Sequence, residues 1–258
     1  MKIYAYPDDE DRITAEFITS HEPYPGYWAE SETFALKNLE QHLAAQNVHP
    51  DRSRRILDVG SGEGRLLPWL GRFAGHIVAQ DIDPRRLEKA QKTYPDAAFA
   101  SGSVYDLPDV PFDMVVCSHV IQHVPTREFT LLLSRLRMLT KPGGILVLAF
   151  SRAPVGHEGY FIATLGESHS IDRVHFNSAL KTGVAGELPF RLFDPEKLKK
   201  TAKRLGWLSE WEWTFHILKD EGYSGMTVEE RDGTVNADPA SSRSAGRDMM
   251  MVWRRGDS

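Results

Sequence analysis

Apolar positions along the chain follow a helical rhythm at first, then settle into short apolar runs that alternate with amphipathic stretches. Between residues 30 and 46, Phe34, Leu36, Leu39 and Leu43 recur at helical spacing, and residues 1–50 are crowded with aromatics, among them Tyr4, Tyr6, Phe17, Tyr24, Tyr27 and Trp28. The pattern predicts an N-terminal helical cap. Beyond it, the runs at 55–59, 76–80, 97–100, 112–117 and 144–150 read as strands, and 64–73, 84–94 and 126–139 read as the helices between them. Strands alternating with helices predict a doubly wound α/β fold built on a parallel sheet. The run Lys141-Pro142-Gly143-Gly144 supplies a helix stop and a turn.

The rhythm breaks at residues 151–192, where scattered glycines and His157, His169 and His175 predict an insertion after a strand's carboxyl end, a place suited to an active-site lid. It resumes at Asp194-Pro195-Glu196, an N-cap followed by a proline at the first helical position and an early acid, which predicts a helix to Leu205 stopped by Gly206. Residues 207–217 and 249–253 predict a closing antiparallel strand pair, separated by a polar and mobile segment, 218–247. The expected organisation is one domain over 1–258: a cap (1–50), a core (51–150), the insertion (151–192) and a C-terminal part (193–258).

Composition narrows the classes. Of 258 residues, 41% are apolar and 26% charged, as in an ordinary globular protein, and the net charge of −5 does not favour nucleic acid as a partner. No apolar run reaches the roughly 18 residues of a membrane span, and the N-terminus carries no signal-peptide core, so a cytoplasmic protein with no membrane partner is expected. Cys117 is the only cysteine, which excludes an internal disulfide and agrees with a reducing compartment.

The stretch ILDVGSGEGRLLPWL, residues 56–70, runs from a strand through a glycine turn towards a helix. Gly60, Gly62 and Gly64 allow positive φ angles and close approach of a ligand. The dinucleotide pattern G-x-G-x-x-G fails because its sixth position is Arg65, and the G-K-[ST] of a phosphate loop is absent. Asp58 before the turn and Glu63 inside it repel a pyrophosphate and suit a ligand carrying positive charge.

Together, ILDVGSGEG, VAQDID, GSVYDLP, FDMVVCSHVIQHVP and LTKPGGILVL resemble, in order and spacing across residues 54–150, the class I S-adenosylmethionine-dependent methyltransferases. The resemblance implies a Rossmann-like, mostly parallel seven-stranded sheet with the helical cap and a lid insertion after the fifth strand. It implies S-adenosylmethionine as cofactor and S-adenosylhomocysteine as product. Asp58 would support the turn and bind the cofactor's amino group directly or through water, with Gly60, Ser61 and Gly62 admitting the methionine portion. Asp81 matches the carboxylate that accepts from both ribose hydroxyls, a fit of two oxygens to a diol. Ile82 would lie beside adenine, and Ser103 with Val104 stands where an acid often meets the adenine amino group. Cys117, at the end of the fourth strand, completes the expected cofactor set. Asp83, before Pro84, reads as a helix N-cap.

Cys117, His119 and His123 have the spacing C-x-H-x-x-x-H, but no clear fourth ligand accompanies them, and no metal site is expected. His119 follows a strand's carboxyl end, where ligands of open α/β sheets bind, and is the first candidate for a general base. Tyr24, Tyr27, Trp28, His119 and His157 are the expected acceptor-binding residues. The expected activity is methyl transfer to an O, N, S or C atom of a small molecule. A protein or peptide methyltransferase and a catalytically inactive cofactor-binding module are the alternatives.

Overall fold

A computed structural model describes residues 10–154, 156–242 and 245–256. Tyr4 and Tyr6 of the expected cap lie outside the described residues. The cap comprises α1 (Glu10–His21) and α2 (Tyr27–Ala45), and the core continues through β1 (Asp51–Val59), α3 (Leu67–Leu70), β2 (Ala74–Asp81), α4 (Pro84–Thr93), β3 (Ala98–Ser101), β4 (Phe112–Ser118), α5 (Phe129–Leu139) and β5 (Thr140–Ser151). After β5 come β6 (Gly159–Ala163), β7 (Ser168–Ile171), α6 (Arg173–Thr182) and β8 (Leu188–Leu192), then α7 (Pro195–Arg204), β9 (Trp207–Phe215), α8 (Val228–Ala237), α9 (Pro239–Ser242) and β10 (Asp248–Arg255). The main sheet has the order β3-β2-β1-β4-β5-β10-β9, seven strands among the described residues. It is parallel except for β10, which pairs antiparallel with both β5 and β9. The Rossmann-like order expected from the sequence is therefore observed.

Strand burial explains why these segments form the sheet centre. Ile56, Leu57, Met114, Val115, Leu146 and Leu148 are all essentially inaccessible, as central parallel strands covered on both faces must be. One face packs against α5 and α7, with Trp207 and Trp253 beneath them, and the other against α2 and the Leu66–Phe73 segment. No helix among the described residues is long and apolar enough to cross a membrane.

Three local expectations change. The helix expected over 64–73 shrinks to the single turn of α3, because Pro68 can stand only in a first helical turn and Gly71 closes it. The Lys141–Gly144 turn lies inside β5, where the register against β4 shifts between Phe112 and Met114 and Gly143 takes a φ of 70°. Within 218–247, a segment expected to be polar and mobile, Val228–Ala237 form α8, started by a capping box between Thr227 and Glu230. Helix α8 buries Arg231 and Asp232 completely, and its Asn236 side chain donates to the Thr214 carbonyl and accepts from the Thr214 amide. That pairing covers the backbone of the edge strand β9. Charged residues on the buried side hid the helix from any reading of apolar periodicity.

The insertion is a small antiparallel sheet, β7-β6-β8, packed with α6 and α1 around Ile13, Phe176, Leu180 and Leu188. Asp83 caps α4 as expected, its Oδ1 accepting from the Arg85 amide at 2.9 Å. Asp83→Ala should cost about 1 kcal/mol of stability and leave ligand affinity unchanged. A denaturant midpoint unmoved by the substitution would show that the cap contributes nothing here.

Candidate active site

The carboxyl ends of β1, β2 and β4 meet at the glycine turn. Gly60, Gly62 and Gly64 have φ of 66°, 56° and 84°, the left-handed conformations that glycine adopts without strain. A Cβ on Gly60 would meet Val120 Cγ2 at 2.3 Å, and at Gly62 the left-handed φ itself strains any side chain, so both positions favour glycine. Asp81 holds this backbone from below. Its Oδ2 accepts from the Gly62 amide and its Oδ1 from the Asp83 amide, each at 2.9 Å.

Asp58 lies buried beneath the turn. Burial pushes its carboxyl up to about 7, with the Arg65 guanidinium opposing and the Asp81 charge adding to the shift. Burial likewise raises Asp81, against the pull of the Asp83 and Gly62 amides. Asp58 Oδ2, Ser61 Oγ and Gln80 Oε1 are buried with no hydrogen-bond partner. Unsatisfied acceptors concentrated around one turn are unusual in a folded interior and fit a ligand that brings N–H or O–H donors and positive charge.

A groove leads from the turn along β2 and β4. Gly60, Asp81, Ile82, Ser103 and Val104 line it, as the sequence suggested, and Gln80, Tyr105, Val120, His123, Val124 and Leu132 complete the wall. The apolar members give a flat ring somewhere to lie. Ser103 is partly engaged, because its Oγ accepts from the Tyr105 amide at 3.3 Å as the N-cap of a 3₁₀ turn. Cys117 does not line the groove. It is fully buried between Val59 and Leu148 in the sheet, and burial raises its thiol. His123 turns Nδ1 to the Pro189 carbonyl at 2.8 Å, tying the wall to β8.

His119 takes a φ of 56° immediately after β4, with its amide donating to the Ala149 carbonyl at 2.8 Å. Left-handed backbone of this kind is uncommon outside glycine, asparagine, aspartate and histidine and holds the imidazole at the sheet's carboxyl edge. The ring is half-buried, 6.4 Å from that of Phe215. Burial lowers its pKa, with the Asp248 carboxylate opposing, so the neutral form dominates near neutral pH. His157, His169 and His175 of the insertion are exposed, so of these four histidines only His119 is even partly enclosed.

Nearby lies a polar network that sequence reading missed. His216 also has positive φ, 57°, and its Nδ1 meets Asp248 Oδ2 at 2.6 Å while Nε2 meets the Trp28 carbonyl at 3.1 Å. The His216 amide donates to Ser31 Oγ, which donates to Asp232 Oδ2 at 2.7 Å. Both ring nitrogens of His216 are engaged, so this residue pins α2 to β10. The expected cap aromatics belong to the same joint. Tyr27 is fully buried against Leu218 and Val228, with the Arg231 guanidinium 4.9 Å from its ring, and Trp28 packs on His216 at 3.8 Å between ring centroids. Tyr24 is half-buried beside Tyr27. Tyr27 thus packs the cap instead of facing a pocket. The signal for this joint was absent from the sequence because its members lie on four separate segments.

A family model described as a methyltransferase domain matches residues 57–148. The ubiquinone biosynthesis O-methyltransferase of Azorhizobium caulinodans is 30% identical over 185 residues, covering 63% of this chain and 72% of that protein. A methyltransferase of Synechocystis is 26% identical over 145 residues, covering 54% of this chain and 68% of its own length. Among solved structures, DhpI in complex with S-adenosylhomocysteine shares the fold with a TM-score of 0.57 at 18% identity, over 96% of this chain and 97% of that one. The 1,6-didemethyltoxoflavin-N1-methyltransferase of Burkholderia thailandensis shares it with a TM-score of 0.55 at 16% identity, over 98% and 92%. With a glycine turn ringed by unsatisfied acceptors, the strand order of the fold and a relative matched over most of its length all in agreement, the chain belongs to the class I S-adenosylmethionine-dependent methyltransferases.

Proposed function

We propose that the chain methylates a small molecule held at the carboxyl edge of the sheet, between His119 and the cap, with His119 as general base. The observation that carries this reading is the left-handed turn that holds the His119 imidazole after β4, at the sheet's carboxyl edge, together with a cap fastened by His216, Ser31 and Asp232. A fastened cap favours an enclosed acceptor over an extended chain and keeps water from the reacting atoms. S-adenosylmethionine supplies a methyl group on a positively charged sulfur. Gly60 and Gly62 admit its methionine portion, Asp58 receives the amino group, Asp81 receives the ribose hydroxyls, and Ile82 and Val104 flank the adenine. His119 takes the proton that a hydroxyl or ammonium acceptor must lose.

Incubating the protein with labelled cofactor and a metabolite mixture, and finding a labelled small product, is the direct test. Label appearing only on added protein or peptide, or no label while S-adenosylhomocysteine still binds, sinks the small-molecule reading.

Asp58 gives a pH-dependent prediction. Its folded pKa is raised from the usual 3.8 to about 7. Its contribution to stability is therefore fully present below about pH 4 and lost as pH rises through about 7. An amino group on the bound ligand favours the carboxylate, so S-adenosylhomocysteine affinity should fall as pH drops below about 7, approaching tenfold per unit. Calorimetry across pH should show proton release on binding in the wild type and none in Asp58→Asn. A pH-independent affinity in the wild type would remove Asp58 from direct or water-mediated contact with the amino group.

A further inference from the structure

A second cleft, of about 520 Å³, opens between α5, β8 and α7 and shares no lining residue with the cofactor groove. Its chemistry is opposite in kind. The cofactor groove has mostly apolar walls beside a turn rich in unsatisfied acceptors, whereas this cleft gathers cations: Arg191 from β8, and Lys197, Lys200 and Arg204 from α7. Glu158 is the single carboxylate in the lining, and it stands 3.8 Å from Arg191 Nη2 and 3.9 Å from Lys197 Nζ, too far for a hydrogen bond to either. On α7, Lys197, Lys200, Thr201 and Arg204 follow the spacing i, i+3, i+4, i+7, which puts them on one face of the helix, towards the cleft.

Arg191 is the informative residue. It is only 6% exposed, and its guanidinium lies 3.9 Å from the ring of Phe193 and 5.0 Å from that of Phe129, which fixes the plane of the fork. Its Nη1 is buried with no hydrogen-bond partner, as is Oγ1 of Thr126, which also lines the cleft. A buried guanidinium N–H left unsatisfied is costly, and Glu158, which ion-pairs with both Arg191 and Lys197, leaves the four cations in net excess.

We propose that this cleft is an anion site for a small phosphate ester or pyrophosphate, outside the methyl-transfer site, with Arg191 as the bidentate anchor. A tetrahedral oxyanion presents enough oxygens to meet a fixed fork, the lysine ammonium groups and the Thr126 hydroxyl together, whereas one planar carboxylate is satisfied by the fork alone. A long polyanion does not suit the protein, whose net charge is −5 and whose cations here are confined to one cleft.

The test is calorimetric titration of inorganic pyrophosphate into the full chain saturated with S-adenosylhomocysteine, so that the cofactor groove is already filled. Pyrophosphate should bind with a Kd below about 1 mM, and malonate, a dicarboxylate, at least about tenfold more weakly. Arg191→Gln should weaken pyrophosphate at least about tenfold. Because Arg191 is buried, the exposed Lys200→Glu keeps the idea testable if the first variant fails to fold, and it should weaken binding at least about fivefold. S-adenosylhomocysteine affinity should stay at the wild-type value in Lys200→Glu. No pyrophosphate binding to the wild type, or binding undiminished in Lys200→Glu, overturns the site. Malonate binding as tight as pyrophosphate overturns the assignment to phosphate.

Discussion

Asp81→Ala should lose S-adenosylhomocysteine affinity by about a hundredfold or more. The carboxylate carries two loads at once. It accepts from the Gly62 and Asp83 amides, which sets the shape of the glycine turn, and, in the proposed cofactor pose, its remaining lone pairs at the groove receive the ribose hydroxyls. A hydrogen bond to a charged group contributes about 1.5–3 kcal/mol, so losing two approaches 3 kcal/mol or more, and two affinity decades follow. The turn is also released, because two amides lose their acceptor. Asp81→Asn should fall between wild type and Ala, since its amide oxygen can serve one of the two backbone donors. Calorimetry with a folded Asp81→Ala protein is the measurement, and wild-type affinity in that variant would move the ribose contact elsewhere.

His119→Asn should lower turnover by about a hundredfold or more while leaving S-adenosylhomocysteine affinity within a few-fold, given that a positioned base contributes about 10²–10⁴ in rate. Asparagine is the informative replacement because it tolerates the left-handed φ of 56°, where alanine would add about 1–2 kcal/mol of backbone strain and confuse the result. Burial depresses the His119 pKa, so the neutral base is present at neutral pH and above. Activity should therefore be lost only as pH falls below histidine's usual value of about 6.5, and that acid limb should vanish in His119→Asn. Full turnover by the variant on the identified acceptor would take His119 out of the chemistry. A variant slowed through weaker cofactor binding alone would do the same.

The glycine turn and the groove beside it were far more legible than the joint that fastens the cap. Asp58, Gly60, Ser61, Gly62 and Asp81 sit within one strand-turn-helix-strand unit, where local rules of turn geometry and strand ends fix the placement of each side chain. The groove wall was half legible. Ile82, Ser103 and Val104 follow strand ends and were found, whereas Gln80 and Leu132 look from the sequence like ordinary strand and helix residues. Cys117 shows the limit of a strand-end rule, since alternation along β4 turns its side chain into the core. The joint that fastens the cap depends on His216, Asp248, Ser31, Asp232 and Arg231, which lie up to 217 positions apart, from Ser31 to Asp248.

By itself, then, the sequence determined the alternation of strands and helices, the glycine turn, the caps at Asp83 and Asp194 and the closing strand pair. Each is set by backbone conformation and apolar periodicity within a few residues of chain. Only the tertiary structure decided that Val228–Ala237 form a helix over the β9 edge, that Tyr27 packs on Arg231, and that His216 fastens the cap. It also decided that four cations from β8 and α7 face one cleft. The reason is that a buried charge or polar side chain is stabilised by partners far away in sequence, so nothing local marks it as interior until the fold brings those partners within hydrogen-bonding distance.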